Sequence, residues 1–125
     1  MITFSQLLLV GLGGFFGSIL RASAYLCCRA NWLNLESYHA TFFVNILGSL
    51  LIGLLAGYLS PESTSLRSFL LIGALGGFTT FSTFSFELLT MLNEGNWTNA
   101  FAFALASVTL GLAAAFIGFR IAAFI

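Results

Sequence analysis

The sequence predicts an all-α membrane protein with four transmembrane helices, the third of them broken near mid-span. Charged residues make up 6% of the 125 residues and hydrophobic residues 59%, against about 25% charge in soluble domains, so water is not the main solvent. The few charges and turn residues divide the chain into four apolar stretches, each near the roughly 20 residues that a bilayer crossing needs. Within the third, GALGGFTTFSTFSF at residues 73–86 places Gly76, Gly77, Thr79, Thr80 and Thr83 where a continuous helix is poorly supported. Residues 1–125 therefore form a single transmembrane domain, with no room for a separate soluble one.

The first span is expected over residues 4–26. No basic residue precedes its apolar run and no small-residue cleavage site follows, so it reads as a retained helix rather than a removed signal peptide. Arg21 closes it. Cys27 and Cys28 are adjacent, which disfavours a disulfide between them, and they read as small apolar residues near a helix end. The second span is expected over 38–59 and the third over 68–92, separated by Ser60-Pro61-Glu62-Ser63, where proline cannot continue a helix. Asn93-Glu94-Gly95-Asn96 separates the third from the fourth, expected over 97–119. Trp32 and Trp97 lie beside span ends, where an amphipathic ring suits the headgroup layer.

Small residues mark helix contacts. Gly13 with Gly17, Gly53 with Gly57, Gly73 with Gly77, and Ser107 with Gly111 stand four apart, on one face of each helix. Such stripes mean close packing, within a chain or between chains. For the third span two readings stand side by side: its glycines admit a neighbouring helix, or they mark a break whose freed carbonyls must be met by protein, water or an ion.

Polar groups inside the spans are the functional candidates, because each is costly in hydrocarbon. Asn45 stands among Phe42, Phe43, Val44, Ile46 and Leu47, with Thr41 one turn earlier. Its amide suits either a bond to a neighbouring helix or a donor role. Arg21 either snorkels to the interface or draws anions towards a vestibule. Carbonyls of Gly76 and Thr79, doubled by a two-fold-related copy, would give an oxygen cage suited to sodium, held structurally on the axis. Phe81 and Phe84, three apart, would present positively polarised ring edges to a small, hard anion. Arg21 and Arg29 fall on one side of the membrane and Arg67 and Arg120 on the other, so the arginine count names no preferred orientation. A homodimer is the economical way for so small a bundle to enclose a polar path. No catalytic triad, phosphate-binding loop or basic nucleic-acid patch is present, which argues against an enzyme and against nucleic acid as a partner.

GGFFGSILR at 13–21, TFFVNILGSLLIG at 41–53 and above all GALGGFTTFSTFSFE at 73–87 resemble the CrcB or Fluc family of bacterial fluoride channels, over essentially the whole chain. The resemblance implies an antiparallel, dual-topology homodimer in the bacterial inner membrane, multi-pass, with two fluoride pores and one central structural sodium ion. It implies that fluoride is exported passively, and that the partners are fluoride, a second copy of the chain and the lipid bilayer. By motif, Phe81 and Phe84 match the pore phenylalanines, Asn45 the pore asparagine, and Gly76 and Thr79 the sodium-binding carbonyls. Ser82 and Thr83 match hydroxyl-bearing pore positions. Thr41, Glu87 and Ser107 resemble members of an outer polar track, and Arg21 matches the vestibule arginine. The chain departs from the pattern at Gly111, one turn beyond Ser107, where a second hydroxyl would extend the track. The alternative is a proton-coupled small multidrug-type transporter, which needs a carboxylate in its first span; residues 4–20 contain none.

Overall fold

A computed structural model describes residues 2–29 and 36–125. Trp32 lies outside the described residues. Four stretches are long and apolar enough to cross a membrane: Phe4–Cys28, Ser37–Tyr58, Thr64–Asn93 and Trp97–Ala122. In order, the elements are α1 (Phe4–Arg29), α2 (Ser37–Tyr58), α3 (Thr64–Arg67), a π-helix (Ser68–Leu75), α4 (Gly76–Phe78), α5 (Phe81–Asn93) and α6 (Trp97–Ala122). The third span is thus assembled from four helical pieces, where the sequence predicted one helix with one interruption.

The connections follow local chemistry. After α2, the Ser63 N–H closes a turn onto the Ser60 carbonyl at 3.0 Å around Pro61. Arg67 Nη1 donates to the Leu59 carbonyl at 2.9 Å, capping the end of α2. Past α5, Gly95 adopts φ +75°, a left-handed conformation that costs glycine little. The Asn96 and Gly95 N–H groups then bond back to the carbonyls of Met91 and Leu92, at 2.9 and 3.1 Å. This is a Schellman stop, which satisfies carbonyls that the helix end would otherwise leave unpaired.

The glycine stripes close two tight, parallel helix pairs within one chain. A Cβ on Gly13 would strike the Phe69 carbonyl and one on Gly17 the Ala74 carbonyl, while Gly73 and Gly77 lie against Val10 and Gly14. Rising numbers on α1 therefore meet rising numbers on the third span. Gly53 lies against Ala115, Gly57 against Ala122, and Gly118 against Leu50, so α2 and α6 also run side by side in the same direction. The two pairs meet through α1 with α2 and through α5 with α6. A buried cluster of Phe84, Met91, Ala100 and Phe103, packed against Tyr38 and Phe42, joins α5 to α2 and α6.

Both readings of the third span hold at once. Gly73 and Gly77 admit α1, and the helix also stops: Thr79 (ψ 159°) and Thr80 (φ −150°, ψ 121°) are extended. Substituting Gly17→Ala is expected to destabilise the protein by about 1–3 kcal/mol, because its Cβ would overlap the Ala74 carbonyl and crowd the Phe78 backbone nitrogen. Gly11→Ala, where nothing lies within 4 Å, is expected to be tolerated. Thermal unfolding of the two variants in detergent measures the difference.

Candidate functional site

The break is built by two diverted N–H groups. In a continuous helix the Thr80 N–H would bond the Gly76 carbonyl and the Thr83 N–H the Thr79 carbonyl. Instead the Thr80 N–H donates to Asn45 Oδ1 at 2.8 Å, and the Thr83 N–H donates to Thr80 Oγ1 at 3.2 Å. Thr80 is thereby the N-cap of α5, the role its short side-chain oxygen suits. Asn45 completes the clamp by donating from Nδ2 to the Thr80 carbonyl at 3.0 Å. Its amide oxygen and one N–H are used in holding the break, and one N–H remains for another acceptor.

The carbonyls released by these two diversions are those of Gly76 and Thr79, within a break that also leaves Gly77 and Phe78 without their helical N–H partners. Gly76 is exposed, with open space where a Cβ would stand. Asn45, Gly76, Thr79, Thr80 and Phe81 line one side of a cleft of about 290 Å³ between the break and α2. Arg21 Nη1 donates to the Thr79 carbonyl at 3.3 Å, a long and weak bond. The arginine lies two turns inside α1, which runs on to Arg29, rather than closing the span. Unpaired main-chain oxygens suit a hard alkali cation, and each carbonyl has two lone pairs, so the Arg21 bond leaves Thr79 one. One chain offers too few such oxygens to enclose an ion.

Phe81 and Phe84 have ring centroids 5.8 Å apart and tilted by 43°, yet their surroundings differ. Phe81 is 79% exposed, whereas Phe84 is 8% exposed and packs 5.1 Å from the Phe103 ring. Ser82 is exposed, and its hydroxyl lies 3.4 Å from Thr80 Oγ1. Two further chambers lie nearby, both open to the surface of the single chain. One, of about 440 Å³, is lined by Ser18, Arg21, Tyr25 and Thr83. The other, of about 780 Å³, is lined by Tyr25, Glu36, Ser37, Thr83, Glu87 and Glu94. Glu87 is buried with Oε2 unpartnered, and its carboxylate faces the hydroxyls of Thr41 and Ser37. Thr41 is fully buried and bonded to the Tyr25 hydroxyl.

The structure therefore brings Asn45, Gly76, Thr79 and Phe81 together at the break, and Arg21, Thr83 and Glu87 along the chambers, with Thr41 buried behind Tyr25 and Glu87. Ser107 stands apart: its Oγ is buried without a partner, and it lines neither the cleft nor these chambers. Two contributors escaped the sequence reading. Thr80 was legible only as a poor helix former, and Tyr25 was marked by nothing except its place four residues after Arg21, on the same face of α1.

A family described as "CrcB-like protein, Camphor Resistance (CrcB)" matches residues 8–119. The chain belongs to the CrcB-like family. It is 49% identical over 115 residues to a "Fluoride-specific ion channel FluC" of Hyphomonas neptunium, covering 89% of this chain and 90% of that protein. It is 45% identical over 119 residues to one of Thermus thermophilus, covering 91% and 92%, and 44% identical over 119 residues to one of Campylobacter jejuni, covering 94% and 97%. As a CrcB-like protein it is a multi-pass bacterial membrane protein, and its relatives are ion channels rather than enzymes.

Asn45→Ala is expected to lower stability by about 1–3 kcal/mol, because the buried Thr80 N–H loses its acceptor, whereas the Thr80 carbonyl keeps the first intrahelical N–H bond of α5. Asn45→Asp keeps the acceptor but sets a carboxylate oxygen against the Thr80 carbonyl, so it is expected to recover only part of that loss. Unfolding in detergent, compared across the three proteins, checks the order.

Proposed function

We propose that this CrcB-like protein is a fluoride-selective channel that lets fluoride leave the cytoplasm passively. It works as an antiparallel homodimer with two pores and a central structural sodium ion. The observation that carries the reading is the helix break, at which Asn45 and Thr80 take the N–H groups that would otherwise cover the Gly76 and Thr79 carbonyls. That the named relatives are fluoride-specific ion channels supports the choice of anion.

Fluoride is small and strongly hydrated, so a pathway through apolar helices must offer donors in place of water. This chain offers the edges of Phe81 and Phe84, the remaining N–H of Asn45, and the hydroxyls of Ser82, Thr83 and Thr41. Arg21 draws the anion into the adjoining chamber. Glu87 and Ser107, each with a buried oxygen lacking a partner, belong to the polar track beyond the rings. Phe81, 79% exposed in the single chain, supports a second copy covering that face. The carbonyls of Gly76 and Thr79 from both copies would hold sodium, which supplies fixed positive charge between the subunits. The multidrug-type alternative is disfavoured because α1 carries no carboxylate along its whole length.

Proteoliposomes holding the purified protein, with a potassium ionophore to balance charge, are expected to release fluoride but not chloride, and a protonophore should leave the release intact. Phe81→Ile is expected to abolish release while the protein stays dimeric; unchanged flux refutes the ring's role. Phe84→Ile is the less clean variant, since it also opens a cavity in the Phe84–Phe103 cluster. For orientation, Glu62→Cys in a chain with Cys27→Ser and Cys28→Ser is expected to be labelled from both sides of sealed vesicles, about half from each. Labelling from one side alone overturns dual topology.

A further inference from the structure

We propose that Tyr25 is an anion-binding residue of the pathway: its phenol hydroxyl, bonded to the buried Thr41, provides a hydrogen-bond donor to the anion where the two chambers adjoin. The proposal rests on the fluoride-channel reading and adds to it a residue that neither the motifs nor the comparisons mark.

Three observations converge on this side chain. Tyr25 and Thr83 are the residues that line both the 440 Å³ chamber of Arg21 and the 780 Å³ chamber of Glu87. The Tyr25 hydroxyl is bonded to Thr41 Oγ1, and Thr41 has no exposure of its own, so Tyr25 is its link to the chambers. The larger chamber is lined by Glu36, Glu87 and Glu94, which when ionised offer acceptors only and repel an anion. An anion leaving the positive field of Arg21 thus meets carboxylates unless hydroxyl protons face it first.

The Tyr25–Thr41 pair meets that need by proton count. Two hydroxyls hold two protons, and the bond between them uses one. Whichever oxygen donates within the pair, the other proton stays free for a third acceptor, either a passing anion or the Glu87 carboxylate that faces Thr41. When Thr41 donates within the pair, the free proton is that of Tyr25, which faces the chambers; the proton of the fully buried Thr41 has only Glu87 beside it. Replacing tyrosine by phenylalanine keeps the ring and its packing but leaves only the Thr41 proton, which has no exposure to the chambers.

The test measures initial fluoride efflux from proteoliposomes over a series of internal fluoride concentrations. Tyr25→Phe is expected to raise the half-saturating concentration about fivefold, the size of one net hydrogen bond, with the dimer and its unfolding temperature unchanged. Tyr58→Phe, at the exposed end of α2, is expected to match the parent. Tyr25→Gln and Tyr25→Leu, similar in size but with and without a donor, repeat the comparison without the ring; the glutamine variant is expected to saturate at the lower concentration. Parent-like curves for Tyr25→Phe, or equal curves for the glutamine and leucine variants, overturn the role of Tyr25 and leave the channel reading standing. No fluoride release from the parent overturns both.

Discussion

The reciprocal pairing of Asn45 with the main chain of Thr80 is the constraint on which the rest of the structure depends. A helix inside a bilayer cannot drop a hydrogen bond without finding another partner for each group released. Here one side chain from α2 accepts the Thr80 N–H and donates to its carbonyl, while Thr80 itself caps α5. With the ends so sealed, the third span can turn two carbonyls towards other company at modest cost. Break, cap and clamp form one unit that exists only when α2 and the third span are in register.

That register is set at the break by Gly48, whose missing Cβ makes room for the Thr79 side chain, and each helix pair is set by contacts in which backbone meets backbone. Glycine carries α1 onto the π-helix and α4, and glycine again carries α2 onto α6. Without a hydrophobic force between helices in lipid, close van der Waals approach is a principal source of such association. The tolerance is small: a methyl group at Gly17 or Gly53 would overlap a carbonyl. At these glycine seams the packing is main chain against main chain, and many large side chains are left on the outside, Phe81 among them.

Much of this was legible beforehand, and the rest was hidden for physical reasons. Pro61 and Gly95 announced their turns because each fixes backbone geometry locally. Four-residue glycine spacing announced helix faces in the same way, and Gly76 with Thr79 stood out as sites where helix formation fails. What a linear pattern cannot carry is the choice among partners in space. Phe81 and Phe84 look alike in sequence and share a helix face, yet α6 brings Phe103 to one of them and nothing to the other. Arg21 looked like a terminal charge because the apolar run thins after it, whereas α1 continues to Arg29 and the guanidinium reaches the break. The π-helix left no trace, since SFLLIGAL reads as an ordinary apolar run. Tyr25 gained its importance only from what α2 and α5 bring beside it.

The parallel pairing of the first with the third span, and of the second with the fourth, bears on how the chain enters the membrane. Gly13 finds its seat against Phe69 and Gly73, residues synthesised only after α2 has been made. When the first two spans are in the bilayer, neither has its glycine partner beside it. Each segment must therefore commit to a direction of insertion while still surrounded by lipid, before any tight contact exists to favour one outcome. Packing comes afterwards, once the third and fourth spans bring the surfaces that the glycines of the first and second are shaped to meet.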